Sequence, residues 1–181
     1  MGLPVTPSQT VGPFLRIGLD WLNTAQIDCA DPAAERITIE GRVLDADGAP
    51  VPDALLEFWQ ASPQGIYPSL SSQFRGFGRV PTDDEGGFRF TTAKPGRVPA
   101  PDGTLQAPHI VVTIFMRGLL KHLVSRIYFP DDAANAEDMV LKRVPQERRR
   151  TLIARRAEAG EARLTWNVVL QGADETVFFD I

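Results

Sequence analysis

The strongest constraint on the fold of this chain is a period-two alternation of apolar and polar residues. In the segment from Arg36 to Val43, the apolar residues Ile37, Ile39 and Val43 alternate with polar neighbours. Successive side chains of a β-strand point to opposite faces of a sheet, so this alternation predicts a strand with one buried face. Further segments predicted to form strands are residues 54–60, 87–92, 110–116, 123–129, 162–170 and 176–179.

Residues typical of turns separate these segments. The sequence Asp45-Ala46-Asp47-Gly48 contains the Asp-Gly pair that reverses a chain, and it predicts a β-hairpin between the first two strands. The acidic turn Asp83-Asp84-Glu85-Gly86 lacks the spacing of a twelve-residue calcium loop. Residues 61–80 are rich in Pro, Ser and Gly and are predicted to form a long loop of functional character.

A single helix is predicted near the end of the chain. Pro145 stands at its first turn, the helix runs from Gln146 to Glu158, and Gly160 follows its end. Many short strands with one late helix are typical of a mostly β fold, an antiparallel β-sandwich with long loops. Residues 1–35 show no period and are predicted to be an arm that packs on the sandwich or on a partner subunit. Residues 36–181 are predicted to be the sandwich domain.

Charge and composition exclude several classes of function. The 181 residues carry a net charge of −4, which gives no general attraction to nucleic acid. Seven basic residues between Lys142 and Arg156 are interpreted as a solvated face with salt bridges rather than as a nucleic-acid site. The single cysteine, Cys29, allows no disulfide within the chain. No apolar stretch is long enough for a membrane span and the start Met1-Gly2-Leu3-Pro4 has no leader character, so a cytoplasmic location is expected.

Three groups of residues stand in a characteristic order. They contain Glu57-Phe58-Trp59-Gln60 followed by Gly65-Ile66-Tyr67, then Lys94-Pro95-Gly96, and finally Pro108-His109-Ile110. In this order and spacing, over roughly residues 36–180, the chain resembles the intradiol aromatic-ring dioxygenases. The segments 6–14 and 175–180 resemble in particular the α subunit of a two-subunit member. That subunit is the non-iron partner of an iron-bearing β subunit.

The resemblance implies which residues would stand around a metal. Active members bind ferric iron through two tyrosines and two histidines. Tyr67 falls at the first tyrosine position and His109 at the first histidine position, but Val98 and Val111 occupy the two others. Gln106 stands where active chains carry an arginine. The resemblance therefore implies four vestigial positions, no metal and no catalytic residue in this chain alone, and Fe(III) bound by the partner β subunit.

The resemblance also implies a contribution to the substrate pocket of the partner. Arg126 would reach the site that the β subunit builds at the shared interface, and Gly12 and Pro13 would line the same pocket. The substrate would be a small aromatic acid, whose carboxylate a cation would bind and orient. An edge or interface salt bridge is the alternative for Arg126.

Several interpretations without a metal role stand beside these. His109 is expected to be a buried histidine bonded to a backbone carbonyl, Tyr67 an aromatic packed under its loop, and Trp59 a core residue. One alternative function is a non-catalytic, transthyretin-like assembly module. Another is a single-chain dioxygenase with rearranged ligands, but His122 and Tyr128 would lie roughly 20 Å apart along an unbroken strand.

Overall fold

A computed structural model of the chain describes residues 5–27, 29–130, 132–157 and 162–180. Two short α-helices, α1 (Phe14–Ile17) and α2 (Met139–Arg143), and three 3-10 helices (Asp20–Leu22, Ala133–Ala136 and Gln146–Thr151) accompany the strands. The strands in chain order are β1 (Arg36–Leu44), β2 (Leu55–Gln60), β3 (Phe77–Pro81), β4 (Gly87–Ala93), β5 (Val98–Pro99), β6 (Leu105–Gln106), β7 (His109–Phe115), β8 (Leu123–Tyr128), β9 (Arg155–Arg156), β10 (Arg163–Thr165) and β11 (Val168–Val169).

The strands form two main sheets, as a β-sandwich requires. One sheet has the order β3-β2-β7-β8 and is antiparallel throughout. In the other, β1 pairs with β4 in antiparallel fashion and with β10 and β11 in parallel fashion. The strands β5 and β6 form a separate two-stranded ribbon. The predicted mostly β sandwich is confirmed. The parallel pairs arise because a long excursion after β8 lets the chain enter beside β1 in the same direction.

The inner faces of the two sheets form the main hydrophobic core. Alternate residues of β1, β2 and β7 are buried there, as the period of a strand with one inner face demands. Phe58 from one sheet stacks on Phe90 from the other, with ring centroids 4.3 Å apart and planes 4° from parallel. Because alternate residues of these strands enter this core, the alternating segments of the sequence predicted β1, β2, β4, β7 and β8 to within one or two residues.

The predicted hairpin between the first two strands is wrong. The turn itself forms, because Asp45 accepts backbone hydrogen bonds from Asp47 and Ala49 and Gly48 takes a positive φ of 76°. However, β1 and β2 belong to different sheets. After the turn, Val51 N bonds back to Val43 O and the chain then crosses over the core. The turn residues specify a chain reversal, but they do not specify which sheet the next strand joins.

The predicted loop over residues 61–80 ends earlier than expected, because β3 begins at Phe77 and pairs with β2. This strand lacks an apolar alternation for a structural reason. A Cβ atom on Gly78 would lie 2.3 Å from the Phe90 ring, so only glycine fits there. Arg79 is only 4% exposed and uses its guanidinium to bind the backbone of residue 15.

The predicted helix from Gln146 to Glu158 is also wrong. A 3-10 helix covers Gln146–Thr151 and the short strand β9 follows; Glu158 lies outside the described residues. Tertiary hydrogen bonds explain the change. Tyr128 N donates to Leu152 O and Ala154 N donates to Tyr128 O, which holds residues 152–154 extended beside β8. Those bonds and the burial of Leu152 outweigh helix propensity.

The two last predicted strands also differ from expectation. The segment 162–170 is split into β10 and β11, because Arg42 N donates to the side chain of Asn167, at 2.9 Å, where the strand would otherwise continue. A Cβ on Gly41 would lie 1.8 Å from Trp166 O, so this close approach requires glycine. Residues 176–179 do not form a strand. They bond singly to both sheets, through Thr176 N to Val169 O and Phe179 N to Val124 O.

The described part of the amino-terminal segment packs on the sandwich of its own chain. Arg16 donates to the carbonyls of Pro52 and Thr82, and Arg79 donates to Leu15 O. Thr24 pairs with Arg79 and Ile27 is buried. The division into an arm, residues 1–35, and a sandwich domain, residues 36–181, stays a prediction.

The arginine-rich segment makes salt bridges within the chain, as its interpretation predicted. Arg148 lies 3.4 Å from Glu175 and Arg150 lies 2.6 Å from Asp174, while Arg149 donates to Val144 O. These contacts tie the 3-10 helix to the end of the chain. Within the described ranges, no helix has the length and apolar character that crossing a bilayer would require.

Candidate functional site

The register of the four-stranded sheet gathers several candidate residues on its outer face. Val111 on β7 stands opposite Trp59 on β2 and opposite Arg126 on β8, and His109 stands opposite Tyr128. Cross-strand partners project to the same face of a sheet, and residues two apart in one strand share that face. His109, Val111, Arg126 and Tyr128 are therefore neighbours, and we call His109, Arg126 and Tyr128 together with Tyr67 and Gln106 the Arg126 cluster.

The structure brings Tyr67 and His109 together. The Tyr67 hydroxyl lies 3.5 Å from His109 Nε2, and the Tyr67 ring stacks on Trp59 at 5.9 Å. Trp59 is 39% exposed, so its predicted place in the core is wrong; its position in β2 puts it on the outer face. His109 Nδ1 lies 2.8 Å from Ala107 O. A carbonyl only accepts hydrogen bonds, so Nδ1 carries the proton and Nε2 offers its lone pair to Tyr67.

The two missing ligand positions lie in the same region and hold aliphatic side chains. Val98 on β5 pairs in register with Gln106 on β6 and is 2% exposed. Val111 pairs with Arg126. A valine offers no electron pair to a metal, so Tyr67 and His109 would be two ligands of an incomplete shell. Across the residues that the structure describes, no group of three or more His, Cys, Asp or Glu side chains could hold a metal ion. Because Val98 and Val111 leave only two donors at four positions, the donor set does not fit ferric iron.

Arg126 points its guanidinium into this cluster. Its Nη1 lies 2.9 Å from Gln106 Oε1 and 3.4 Å from the Tyr128 hydroxyl. The Tyr128 hydroxyl in turn donates to Asp138 Oδ1 at 3.2 Å. A chain of hydrogen bonds thus runs from Gln106 through Arg126 and Tyr128 to Asp138, and both partners of the guanidinium belong to its own chain.

Burial and the Arg126 charge set the protonation states of the cluster. Burial, followed by the Arg126 charge, lowers the pKa of His109 to about 4, which keeps the ring neutral near pH 7. Burial raises the pKa of Tyr67 and of Tyr128, and in both cases Arg126 opposes this effect. The two phenols therefore stay protonated at neutral pH.

Asp138 connects the Arg126 cluster to the start of α2. Its carboxylate is fully buried and accepts from Ala107 N at 2.8 Å and from the Tyr128 hydroxyl. The same side chain is the N-cap of α2, since it accepts from Val140 N and Leu141 N. One carboxylate thus joins a helix start, the residue that orients His109, and the hydroxyl that faces Arg126.

Gly12 and Pro13 lie elsewhere on the same outer face. They line a largely apolar pocket of about 510 Å³, which we call the Gly12 pocket, together with Leu55, Phe115 and Arg117. Arg117 is 80% exposed at its side chain and lies 2.7 Å from Asp53. Arg126 does not line this pocket. Its partner Val111 precedes Phe115 by four residues on β7, a separation of about 13 Å.

The sequence analysis assigned no role to Arg117 or Asp138, and it did not place Tyr128 beside His109. The turn at Arg117-Gly118, where Gly118 has a positive φ of 90°, could have been used to predict the register of β7 and β8, and with it the pairing of His109 with Tyr128. The same turn places Arg117 at the end of the strand. The local sequence is compatible with Asp138 as a helix N-cap, but it gives no sign of the bond from Ala107 N, which spans 31 residues of chain.

Known proteins resemble this chain over nearly its whole length. The sequence profile of the dioxygenase family (Dioxygenase_C) matches residues 18–172. The protocatechuate 3,4-dioxygenase alpha chain of Burkholderia cepacia is 44% identical, covering 99% of this chain and 98% of that protein. The alpha chain from Pseudomonas putida is 41% identical, with 98% and 97% covered. The beta chain of the Burkholderia cepacia enzyme is 35% identical over 96% of this chain and 78% of its own length.

Solved structures show the same fold. The dioxygenase domain of a dioxygenase carbohydrate-binding protein fusion from Streptomyces sp. SirexAA-E superimposes with a TM-score of 0.67 at 24% identity, covering 86% of this chain and 89% of that one. The catechol 1,2-dioxygenase of Pseudomonas arvilla C-1 gives a TM-score of 0.64 at 23% identity, with 83% and 56% covered. Together, the profile match, the near full-length relatives and the shared sandwich show that the chain belongs to the intradiol aromatic-ring dioxygenase family.

Proposed function

We propose that this chain is the α subunit of a two-subunit protocatechuate 3,4-dioxygenase. With a β subunit it opens the ring of 3,4-dihydroxybenzoate between the two hydroxyl-bearing carbons, consumes dioxygen and yields 3-carboxy-cis,cis-muconate. The observation that carries the proposal is the 44% identity to an alpha chain over almost the full length of both proteins. A beta chain matches at the lower identity of 35%, which supports the assignment to the α type.

In this proposal the catalytic Fe(III) belongs to the β subunit. The family consists of non-haem iron dioxygenases, whereas Val98 and Val111 deprive this chain of donors at two positions. Bound iron supplies the chemistry that activates the catechol ring and dioxygen. The residues of this chain act on the substrate pocket and on assembly instead.

The Gly12 pocket is the part of this chain that we propose to face the substrate. Gly12 and Pro13 form an apolar wall there, and Arg117 adds an exposed cation at the rim. A cation at the edge of an apolar pocket suits an aromatic ring that bears a carboxylate. Arg126 stays a second, predicted candidate for this contact, although its guanidinium already bonds to Gln106 and Tyr128.

Single substitutions in the assembled enzyme separate these two arginines. Arg117→Ala should raise the KM for 3,4-dihydroxybenzoate by roughly tenfold, because a charge-assisted hydrogen bond contributes about 1.5–3 kcal/mol. Arg117→Lys should recover part of the loss, and Arg89→Ala, an exposed arginine on the opposite sheet, should leave KM unchanged. If Arg126→Ala raises KM and Arg117→Ala does not, the carboxylate contact belongs to Arg126.

Co-expression with a β subunit tests the proposal as a whole. We expect a stable hetero-oligomer that cleaves 3,4-dihydroxybenzoate, with iron retained by the β chain after the subunits are separated. An assembled complex whose kinetics are indifferent to every substitution in the Gly12 pocket would favour the non-catalytic assembly module. Stoichiometric iron in the isolated chain would favour a single-chain enzyme. The proposed location is the cytoplasm, which cell fractionation tests.

A further inference from the structure

We infer that the guanidinium of Arg126 is a built-in cation that occupies the vestigial metal position and keeps it closed to metal ions. The loss of two ligands alone would leave a weak site. A fixed positive charge among the remaining donors would prevent a metal ion from binding at that site at all. This inference concerns the chain's own cluster and does not depend on the Gly12 pocket.

The geometry places Arg126 beside the vestigial positions. Val111 is its direct cross-strand partner, and Val98 is the cross-strand partner of Gln106, which accepts a hydrogen bond from Arg126 Nη1 at 2.9 Å. His109 lies two residues before Val111 on β7, opposite Tyr128, whose hydroxyl lies 3.4 Å from Arg126 Nη1. The two missing ligands thus flank the Arg126–Gln106 pair, and the remaining histidine lies beside it.

The charges of the cluster indicate the same arrangement. The Arg126 guanidinium lies 3.4 Å from the Tyr128 hydroxyl, the Tyr128 and His109 ring centroids are 5.8 Å apart, and His109 Nε2 lies 3.5 Å from the Tyr67 hydroxyl. The resemblance to the family implies that active members carry an arginine at the position of Gln106. In this chain the positive charge beside Gln106 comes instead from Arg126 on the neighbouring strand. The charge is kept while its position in the sequence changes.

A metal ion entering the cluster would meet three unfavourable effects together. It would be repelled by a guanidinium a few ångströms away, in surroundings where burial weakens screening. It would find aliphatic side chains, Val98 and Val111, at two of the four ligand positions. It would also break the hydrogen bonds from Arg126 to Gln106 and to Tyr128. Two polar groups would then have to find new partners.

Restoring the missing ligands with and without Arg126 tests this inference. The full chain carrying Val98→Tyr and Val111→His is exposed to ferrous iron in air and then dialysed against a chelator. Iron per chain is measured by mass spectrometry and tyrosinate-to-iron binding by visible absorption. We expect little iron while Arg126 is present, and roughly tenfold more when Arg126→Gln is added. Arg126→Lys in the same background keeps a positive charge and should keep iron low.

Either of two results would overturn the inference. One is stoichiometric iron in the ligand-restored chain with Arg126 intact. The other is a folded Arg126→Gln version that takes up no more iron than its parent, because the charge would then not be the barrier.

A charge exchange tests the same idea without any metal. Gln106→Arg puts two guanidinium groups together and Arg126→Gln removes the only one in the cluster, so each should lower the thermal midpoint by several degrees. The exchanged pair Gln106→Arg with Arg126→Gln restores one cation and one amide, and it should recover most of the loss. If the double variant loses as much thermal midpoint as the two single variants together, the cluster does not accept its cation from either strand, and the inference is contradicted.

Discussion

At the residue scale, His109 shows how burial changes an expected ligand. Its Nδ1–H donates to Ala107 O, its Nε2 faces Tyr67, and the ring is only 3% exposed. Burial and the Arg126 charge lower its pKa to about 4. The ring is therefore a neutral, structural member of the cluster at neutral pH, and its ionisation is coupled to folding.

The coupling predicts a loss of stability in mild acid. An ordinary histidine has a pKa near 6.5, so between pH 6.5 and pH 4 the unfolded chain binds more protons at His109 than the folded chain does. Lowering the pH through this window should reduce the free energy of unfolding by roughly 3 kcal/mol from this residue. Urea unfolding at several pH values measures the change.

Two glutamine variants supply the comparison for that measurement. His109→Gln removes the ionisable group, so its unfolding free energy should fall less between pH 6.5 and pH 4 than that of the wild type. His122→Gln, at an exposed position, should follow the wild-type profile. Identical pH profiles for His109→Gln and wild type would mean that the neutral ring is not coupled to folding.

At the scale of elements, Asp138 joins parts of the chain that no strand pairing connects. It caps α2, accepts from Ala107 N just before β7, and accepts from the Tyr128 hydroxyl at the end of β8. The helix start, the two strand ends and the cluster are therefore held by one buried carboxylate. The orientation of His109 depends on this arrangement, since Ala107 also accepts its Nδ1–H.

Asp138→Ala should therefore cost more than the loss of a helix cap. The cap itself contributes about 1 kcal/mol, and the unpaired Ala107 N–H and Tyr128 hydroxyl add further cost, so we expect a loss of about 2–4 kcal/mol in chemical denaturation. Asp132→Ala is the matched control, because Asp132 caps the 3-10 helix Ala133–Ala136 through one bond to Ala134 N and otherwise makes only a longer ion pair, 3.7 Å, to Lys94. Its loss should be about 1 kcal/mol. Equal losses would show that the bonds to Ala107 and Tyr128 contribute nothing.

At the scale of the whole molecule, three large apolar side chains near the amino terminus are left exposed on the sandwich. Phe14, Ile17 and Trp21 are between 72% and 75% exposed, although Arg16 and Arg79 hold the same segment to the sheet. An apolar surface that is held in place but left uncovered is typical of an interface. It lies beside the Gly12 pocket, as an interface that shares a substrate site would require.

This surface should be covered in the proposed hetero-oligomer. Phe14→Ser or Trp21→Ser should weaken assembly with the β subunit by at least about tenfold, since large aromatic side chains dominate interface energetics. The thermal midpoint of the isolated chain should hardly change, because these side chains are exposed. Sedimentation or mass photometry measures assembly, and Leu120→Ser, at a 64% exposed leucine in the β7–β8 turn, is the control. Assembly unaffected by both aromatic substitutions would place the interface elsewhere.

The sequence alone determined the fold class and the position of most strands, because alternation is a local consequence of one buried face. β1, β2, β4, β7 and β8 were located in this way. The residues at the vestigial positions, Tyr67, Val98, His109 and Val111, were also readable, because the motifs that place them lie within a few residues of each of them. Local patterns of this kind do not depend on where the chain goes next.

The tertiary structure decided everything that depends on partners distant in sequence. It separated β1 and β2 into different sheets, extended residues 152–154 beside Tyr128, and split the segment 162–170 where Arg42 N donates to Asn167. It also placed Arg126 among the vestigial positions and Arg117 in the Gly12 pocket. These features depend on strand register and on hydrogen bonds between residues that are distant in sequence. Their free energies arise only when the sheets are assembled, so no local pattern carries them.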